Sequence, residues 1–162
     1  MSDIGTLWDE IILTRNVERM FALDDKGFSV VLNQMTSQEN GDDLDDVGGY
    51  KPVGLTPAKS VIFLCHGFQN LLEAEGFGGF FQYQIAFWVD VVRAFEIIGA
   101  MNIAKLINQA MILSPSEDSY FNATKATESE LNKIESKIVN CSEYTGLDAL
   151  VKKYAESNRH EF

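Results

Sequence analysis

Nine residues, Glu75-Gly76-Phe77-Gly78-Gly79-Phe80-Phe81-Gln82-Tyr83, constrain this chain more than any other stretch. Three glycines alternate with three phenylalanines and a tyrosine, between two long apolar segments. Glycine tolerates positive φ and close backbone approach, so Gly78-Gly79 is expected to form a sharp, buried turn. Phe77, Phe80 and Phe81 are apolar groups large enough to anchor a core around it. Gln82 and Tyr83 carry polar groups that need partners wherever they are buried. The expected local structure is a corner between two helices.

Helical periodicity accounts for most of the rest. Ile4, Leu7, Trp8, Ile11 and Ile12 make one stripe, and Val17, Met20 and Phe21 fall out of phase with it. A break near Thr14–Asn16 and a short second helix are expected. The stretch from Phe28 to Met35 is short and holds two valines, so spacing leaves it between strand and helix, with helix favoured. Thr56 and Pro57 have the chemistry of a helix cap and first turn, ahead of Val61, Leu64, Cys65, Phe68, Leu71 and Leu72. From Ile85 to Ile98 the chain is apolar nearly all round, except for a narrow wet edge of Asp90, Arg93 and Glu96. Gly99 should close that helix, Asn102 cap the next and Pro115 stop it. Thr127-Glu128-Ser129-Glu130 fits a capping box ahead of Leu131, Ile134 and Ile138. Leu147, Leu150, Val151 and Tyr154 mark a last helix, with a frayed tail over 157–162. The expected fold class is all-α: a compact single-domain helical bundle over residues 1–162, built around the glycine and aromatic corner and compatible with one short hairpin. Residues 37–50 read as an exposed acidic loop.

Little in the chain has the spacing of catalytic or metal chemistry. Cys65 and Cys141 lack CxxC spacing, and Cys65 reads as a small core residue. His66 and His160 belong to no HExxH or Cys/His zinc pattern, and His66 reads as a structural histidine at the edge of a helix. Asp43 and Asp45 match positions one and three of a calcium loop, but Val47 and Gly54 occupy positions five and twelve, so the pattern fails. Gly76-x-Gly78-Gly79 is not a dinucleotide fingerprint, and no GxSxG elbow occurs. Glu73 and Glu75, two apart on a helix, point to different faces. The reading is of a protein that is not an enzyme and uses no cofactor and no metal. Met1-Ser2-Asp3 lacks a basic leader and no apolar run nears about 18 residues, so a cytoplasmic location is expected.

Charge is the remaining signal. Twenty-four acids against 13 Lys and Arg give a net charge of −11. Residues 1–50 hold 11 acids and 3 bases, residues 51–110 hold 4 of each, and residues 111–162 hold 9 and 6. The excess therefore lies in the flanks, with the corner in a neutral middle. Asp24, Asp25, Glu39, Asp42, Asp43, Asp45 and Asp46 form one dense group, and Glu117, Asp118, Glu128 and Glu130 a sparser one. Asp9, Glu10 and Glu18 form a set mounted on helices. Such a surface repels nucleic acid and membranes and attracts basic partners. Carboxylates four residues apart on a helix lie about 6 Å apart along its axis, close to the phosphate spacing of a DNA strand. A solvated acidic face is the plainer meaning of the same charges.

The corner also carries a likeness. Gly78-Gly79-Phe80-x-Gln82-Tyr83 after a glutamate, followed by Ile98-Gly99-Ala100 and a helix to Ala110, resembles a bacterial domain family. Its described member is a nineteen-kilodalton acidic DNA-mimic protein. The likeness covers residues 73–112, about a quarter of the chain. Many relatives carry Asn before the paired glycines, where this chain has Phe77. The resemblance implies a homodimeric DNA mimic that covers the DNA-binding surface of a helix-turn-helix transcriptional regulator and keeps it from its operator, without binding nucleic acid itself. An immunity-type acidic inhibitor of a basic toxin or nuclease would use the same charge. A helical domain with an unrelated ligand in the aromatic corner is a third reading.

Overall fold

The computed structural model describes residues 4–41 and 50–162. Among them there is no strand, so the fold is all-α and the compatible hairpin does not occur there. Helix α1, Ile4–Thr14, breaks at Arg15 (φ 49°) and Asn16, and α2 follows at Val17–Phe21. Asn16 caps α2 by accepting the Arg19 N–H at 3.0 Å. The ambiguous valine stretch is helical, within α3, Asp25–Glu39. Asp24 caps it, with Oδ1 accepting the Gly27 N–H at 2.7 Å, and Phe28, Val31, Leu32 and Met35 enter the core. Tertiary burial decides a run that propensity leaves open. Because α3 continues through Ser37–Glu39, the expected loop starts later than its sequence suggests. Residues 42–49 of that loop lie outside the described ones.

Helix α4, Pro57–Glu75, is the central element and packs on α3, on the corner and on the helix that follows it. Its first turn is capped by Thr56, as its sequence indicates, and Ile62, Cys65 and Phe68 are fully buried. The corner comprises α5, Phe77–Gly79, a π-helical turn over Phe80–Gln84 and a 3-10 turn over Ile85–Phe87; α6, Trp88–Ile97, leaves it. The expected turn at Gly78-Gly79 is corrected here. The residue with positive φ is Gly76 (64°), and Gly79 is helical, at φ −61° and ψ −46°. Gly79 is required for closeness instead: a Cβ there would stand 3.1 Å from the Leu71 carbonyl oxygen and 3.2 Å from the Glu75 Cβ. This absence of a side chain lets the turn seat on the end of α4.

The phenylalanines do anchor the core. Phe68 of α4 meets Phe80 at 5.4 Å and Phe95 of α6 at 5.3 Å, both edge to face. Phe81 packs on Phe80 at 5.2 Å and stacks on Tyr120 at 4.3 Å. Each fully buried ring contributes about 1.5–3 kcal/mol through its removal from water. Gln82 is exposed, and Tyr83 is half-buried beside Tyr50. The buried amide is that of Gln84, which donates to the Leu64 carbonyl at 3.2 Å.

Helix α7, Met101–Leu113, returns along α6, and then come α8, Glu117–Phe121, α9, Lys125–Asn140, α10, Ser142–Thr145, and α11, Leu147–Ser157. Two caps differ from their sequence expectation. Asn102 lies inside α7, and the orphan N–H groups of Asn102 and Ile103 are taken by the Glu143 carboxylate at 2.9 and 3.0 Å. Helix α9 begins earlier than the Thr127 box, with Thr124 as its cap. The tail is also not frayed. A 3-10 turn over Arg159–Glu161 places the Glu161 carboxylate on the Ala58 N–H at 2.7 Å, at the start of α4. Arg159 lies over the Phe21 ring at 4.4 Å, and Phe162 meets that ring edge-on.

His66 departs from its sequence reading too. It is 3% exposed, and neither ring nitrogen has a hydrogen-bond partner. Burial pushes its pKa down to about 4. Between that value and the ordinary one near 6.5, the unfolded chain takes up a proton that the folded chain does not. His66 therefore subtracts stability as pH falls from about 6.5 to 4, by up to roughly 3 kcal/mol. The melting temperature of His66→Gln should fall less than the parent's over that window, measured by circular dichroism. Gly79→Val should cost about 1–3 kcal/mol in urea unfolding by crowding the Leu71 carbonyl. Gly78→Ala, whose Cβ would meet only a Tyr120 carbon at 4.0 Å, should leave stability unchanged or raised.

Candidate protein-interaction surface

An acidic side chain presents charge to a partner only where the fold does not already neutralise it. Three of the sequence-selected acids are neutralised. Glu10 pairs with Arg19 at 2.7 Å, and Glu18 with Arg159 at 2.7 Å. Glu39 sits at the end of α3, between Arg15 at 2.7 Å and Lys59 at 2.8 Å. These contacts tie the N-terminal helices to α4 and to the C-terminal turn.

Other acids keep their full charge. Asp9 is exposed on α1 and makes no ion pair among the described residues. Asp24 is bonded only to a backbone N–H, whereas Asp25 is an exception, in a long ion pair with Lys152 at 3.8 Å. Glu117 and Asp118 are exposed in the first turn of α8, where the helix dipole favours acids, and Asp118 accepts only the neutral Asn122 amide at 2.9 Å. Asp42, Asp43, Asp45 and Asp46 lie outside the described residues.

The fold gathers a further acidic group that charge counting along the chain does not reveal. Glu73 and Glu75 end α4, and α9 brings Glu128 and Glu135 to the same corner. Glu135 Oε2 accepts the Phe77 N–H at 3.0 Å, and Glu73 Oε1 accepts the Tyr144 hydroxyl at 3.5 Å. The fields of these carboxylates register on the surrounding tyrosines. Burial, and then Glu73 and Glu135, push the Tyr144 hydroxyl up. Burial with Glu135 and Glu128 raises Tyr120, and burial with Glu75 raises Tyr50. The corner is neutral only within its own third of the sequence; in space it is the meeting point of acids from α4 and α9. The readable part of this signal is the glutamate on either side of Ala74, just ahead of the glycines.

Among the described residues, no group of three or more His, Cys, Asp or Glu side chains is placed to hold a metal ion. Cys65 is buried, which pushes its thiol up and away from the reactive thiolate. Among the same residues, no helix is long and apolar enough to cross a membrane. Gly79 and Phe80 serve the packing of the corner, and Gly78 has room for a side chain.

A model of the DMP19-like protein family matches residues 54–159, about two thirds of the chain. The match begins just ahead of α4 and runs through the glycine corner to the C-terminal turn. No curated protein and no solved structure matches the chain. The family is one of DNA mimics and not of enzymes. On its central helix, its corner and the helices packed around them, the chain belongs to the DMP19-like family.

Proposed function

We propose that this protein is a cytoplasmic, homodimeric DNA mimic that occupies the DNA-binding surface of a helix-turn-helix transcriptional regulator and so keeps the regulator off its operator. The observation that carries the reading is the set of carboxylates mounted on helices and left without a cationic partner: Asp9, Glu73, Glu75, Glu117, Asp118 and Glu128. A regulator collects Lys, Arg and helix N-termini to hold phosphates, and the same groups accept fixed carboxylates. Helical mounting matters energetically. Ordering a mobile segment on binding costs about 1–2 kcal/mol per residue in backbone entropy, and acids on packed helices avoid that cost. The acids at 42, 43, 45 and 46 join the proposal through their charge alone. A two-fold mimic would match the two recognition helices that such regulators present one turn of DNA apart.

Capture from a native lysate at low salt, followed by elution with rising salt, should release a small basic regulator. Its complex should weaken steeply with salt and compete with operator DNA, because the contacts are ion pairs at one shared surface. Replacing Glu73, Glu75 and Glu128 with Gln together should weaken binding at least tenfold while melting stays nearly unchanged, since exposed charge contributes little to the fold. Replacing Glu10, Glu18 and Glu39 with Gln should instead affect melting more than binding. A stable ternary complex with DNA would contradict competition. Capture of a basic nuclease or toxin in place of a regulator would assign the charge to an immunity-type inhibitor.

A further inference from the structure

Helices packed side by side ordinarily meet through apolar groups, but α3 and α4 enclose a polar cleft. Its volume is about 330 Å³. Lys26 and Ser29 line it from α3, His66, Gln69 and Glu73 from α4, and Asp148 from the first turn of α11. Ser29 is 4% exposed and His66 3%, and the Ser29 hydroxyl and both His66 nitrogens make no hydrogen bond. Three polar atoms buried without partners destabilise a fold, and natural cores seldom keep them. Two of the side chains are therefore held at the floor of this cleft against the interest of stability, which is common where a site is built for a ligand.

The rim of the cleft is also unpaired. Neither Lys26 nor Asp148 forms an ion pair among the described residues, and Glu73 is bonded only to the neutral Gln69 amide at 3.2 Å and the Tyr144 hydroxyl at 3.5 Å. One cation and two carboxylates thus face a single small space. A simple anion entering it meets Glu73 and Asp148, and a simple cation meets Lys26. A molecule carrying both charges meets complementary groups. The volume lies at the small end of ligand sites, which begin at roughly 300 Å³, so it suits one compact metabolite and not a nucleotide cofactor.

We propose that this cleft binds a free α-amino acid. Lys26, the Ser29 hydroxyl and the imidazole N–H of His66 supply the donors for its carboxylate. Glu73 and Asp148 supply the acceptors for its ammonium group. Glu73 also belongs to the surface proposed to meet a DNA-binding protein, but melting of the chain with free amino acids is read without that partner, so the two readings fail separately.

The test is thermal unfolding of the full chain, alone and with each proteinogenic amino acid at millimolar concentration. One or a few should raise the melting temperature, by about 5–10 °C at a concentration roughly a hundred times Kd. The N-acetyl and carboxamide forms of the same amino acid, each lacking one charge, should not. Ser29→Ala removes a buried hydroxyl without a partner, so the free variant should melt at or above the parent. Its affinity for the amino acid should fall about 5–10-fold, the effect of one lost hydrogen bond. Lys26→Met alters an exposed residue, so it should leave the free protein's melting temperature unchanged and abolish the ligand-induced rise. If no amino acid raises the melting temperature, the cleft holds only water and the proposal fails. An equal rise with the blocked forms, or an undiminished rise in Lys26→Met, would also overturn it.

Discussion

The corner depends on one carboxylate brought from a distance. Glu135 of α9 accepts the Phe77 N–H, and its Oε1 lies 2.9 Å from where a Cβ on Gly76 would stand. Gly76 must therefore be glycine twice over, for its positive φ and for the room that Glu135 needs. With Phe77 fixed, its ring turns inward beside Phe80 and Phe81, and the π-helical turn sets the direction in which α6 leaves. Helix α7 packs on α6 and α9 packs on α7, which returns Glu135 to the corner. The arrangement is closed: the helix that caps the turn is positioned by the elements the turn releases. A side-chain cap is worth about 1 kcal/mol in isolation, so its importance lies in joining distant parts of one core. The polar contact of the turn comes from α9, and the side chain of residue 77 is free to be apolar.

The same economy governs the ends of the chain. Arg159 pairs with Glu18 while its guanidinium lies on Phe21, and Glu161 caps the first turn of α4. Lys59 pairs with Glu39 and also approaches the Phe162 ring at 5.9 Å. Exposed ion pairs are individually weak, at about 0–1 kcal/mol. These hold because each cation also covers apolar surface, which adds burial to attraction. They use a minority of the acids. The fold thus divides its carboxylates into a structural set, which fastens the N-terminal helices and tail to α4, and a set left to the solvent.

How far this was legible depends on the range of the interaction. Local signals were readable: the phase change at Thr14–Asn16, the Thr56 cap with Pro57, and the apolar stripe of α4 all rest on neighbours within a turn or two. The ambiguity at Phe28–Met35 was real locally and was settled by packing. The misplaced features were those decided by distant residues. Gly79 looked like a turn because the Leu71 carbonyl that crowds it is not visible in a pattern. Asn102 looked like a cap because Glu143, which performs that role for α7, is far along the chain. The tail looked frayed because its polar composition hides the tertiary contacts of Arg159, Glu161 and Phe162. The acids at the corner were counted in separate thirds of the chain and meet only after α9 folds back.

That meeting registers on the tyrosines of the corner. Tyr144, Tyr120 and Tyr50 hold their protons more firmly, first because they are buried and then because Glu73, Glu75, Glu128 and Glu135 lie around them. A cationic surface meets a stronger field where acids are gathered than where the same net charge is spread evenly, and mobile salt ions screen that field only partly. The ring network lies under the acidic group: Phe68, Phe77, Phe80, Phe81 and Phe95 pack together the elements that carry the turn and the end of α4, and so fix where Glu73 and Glu75 stand relative to α9.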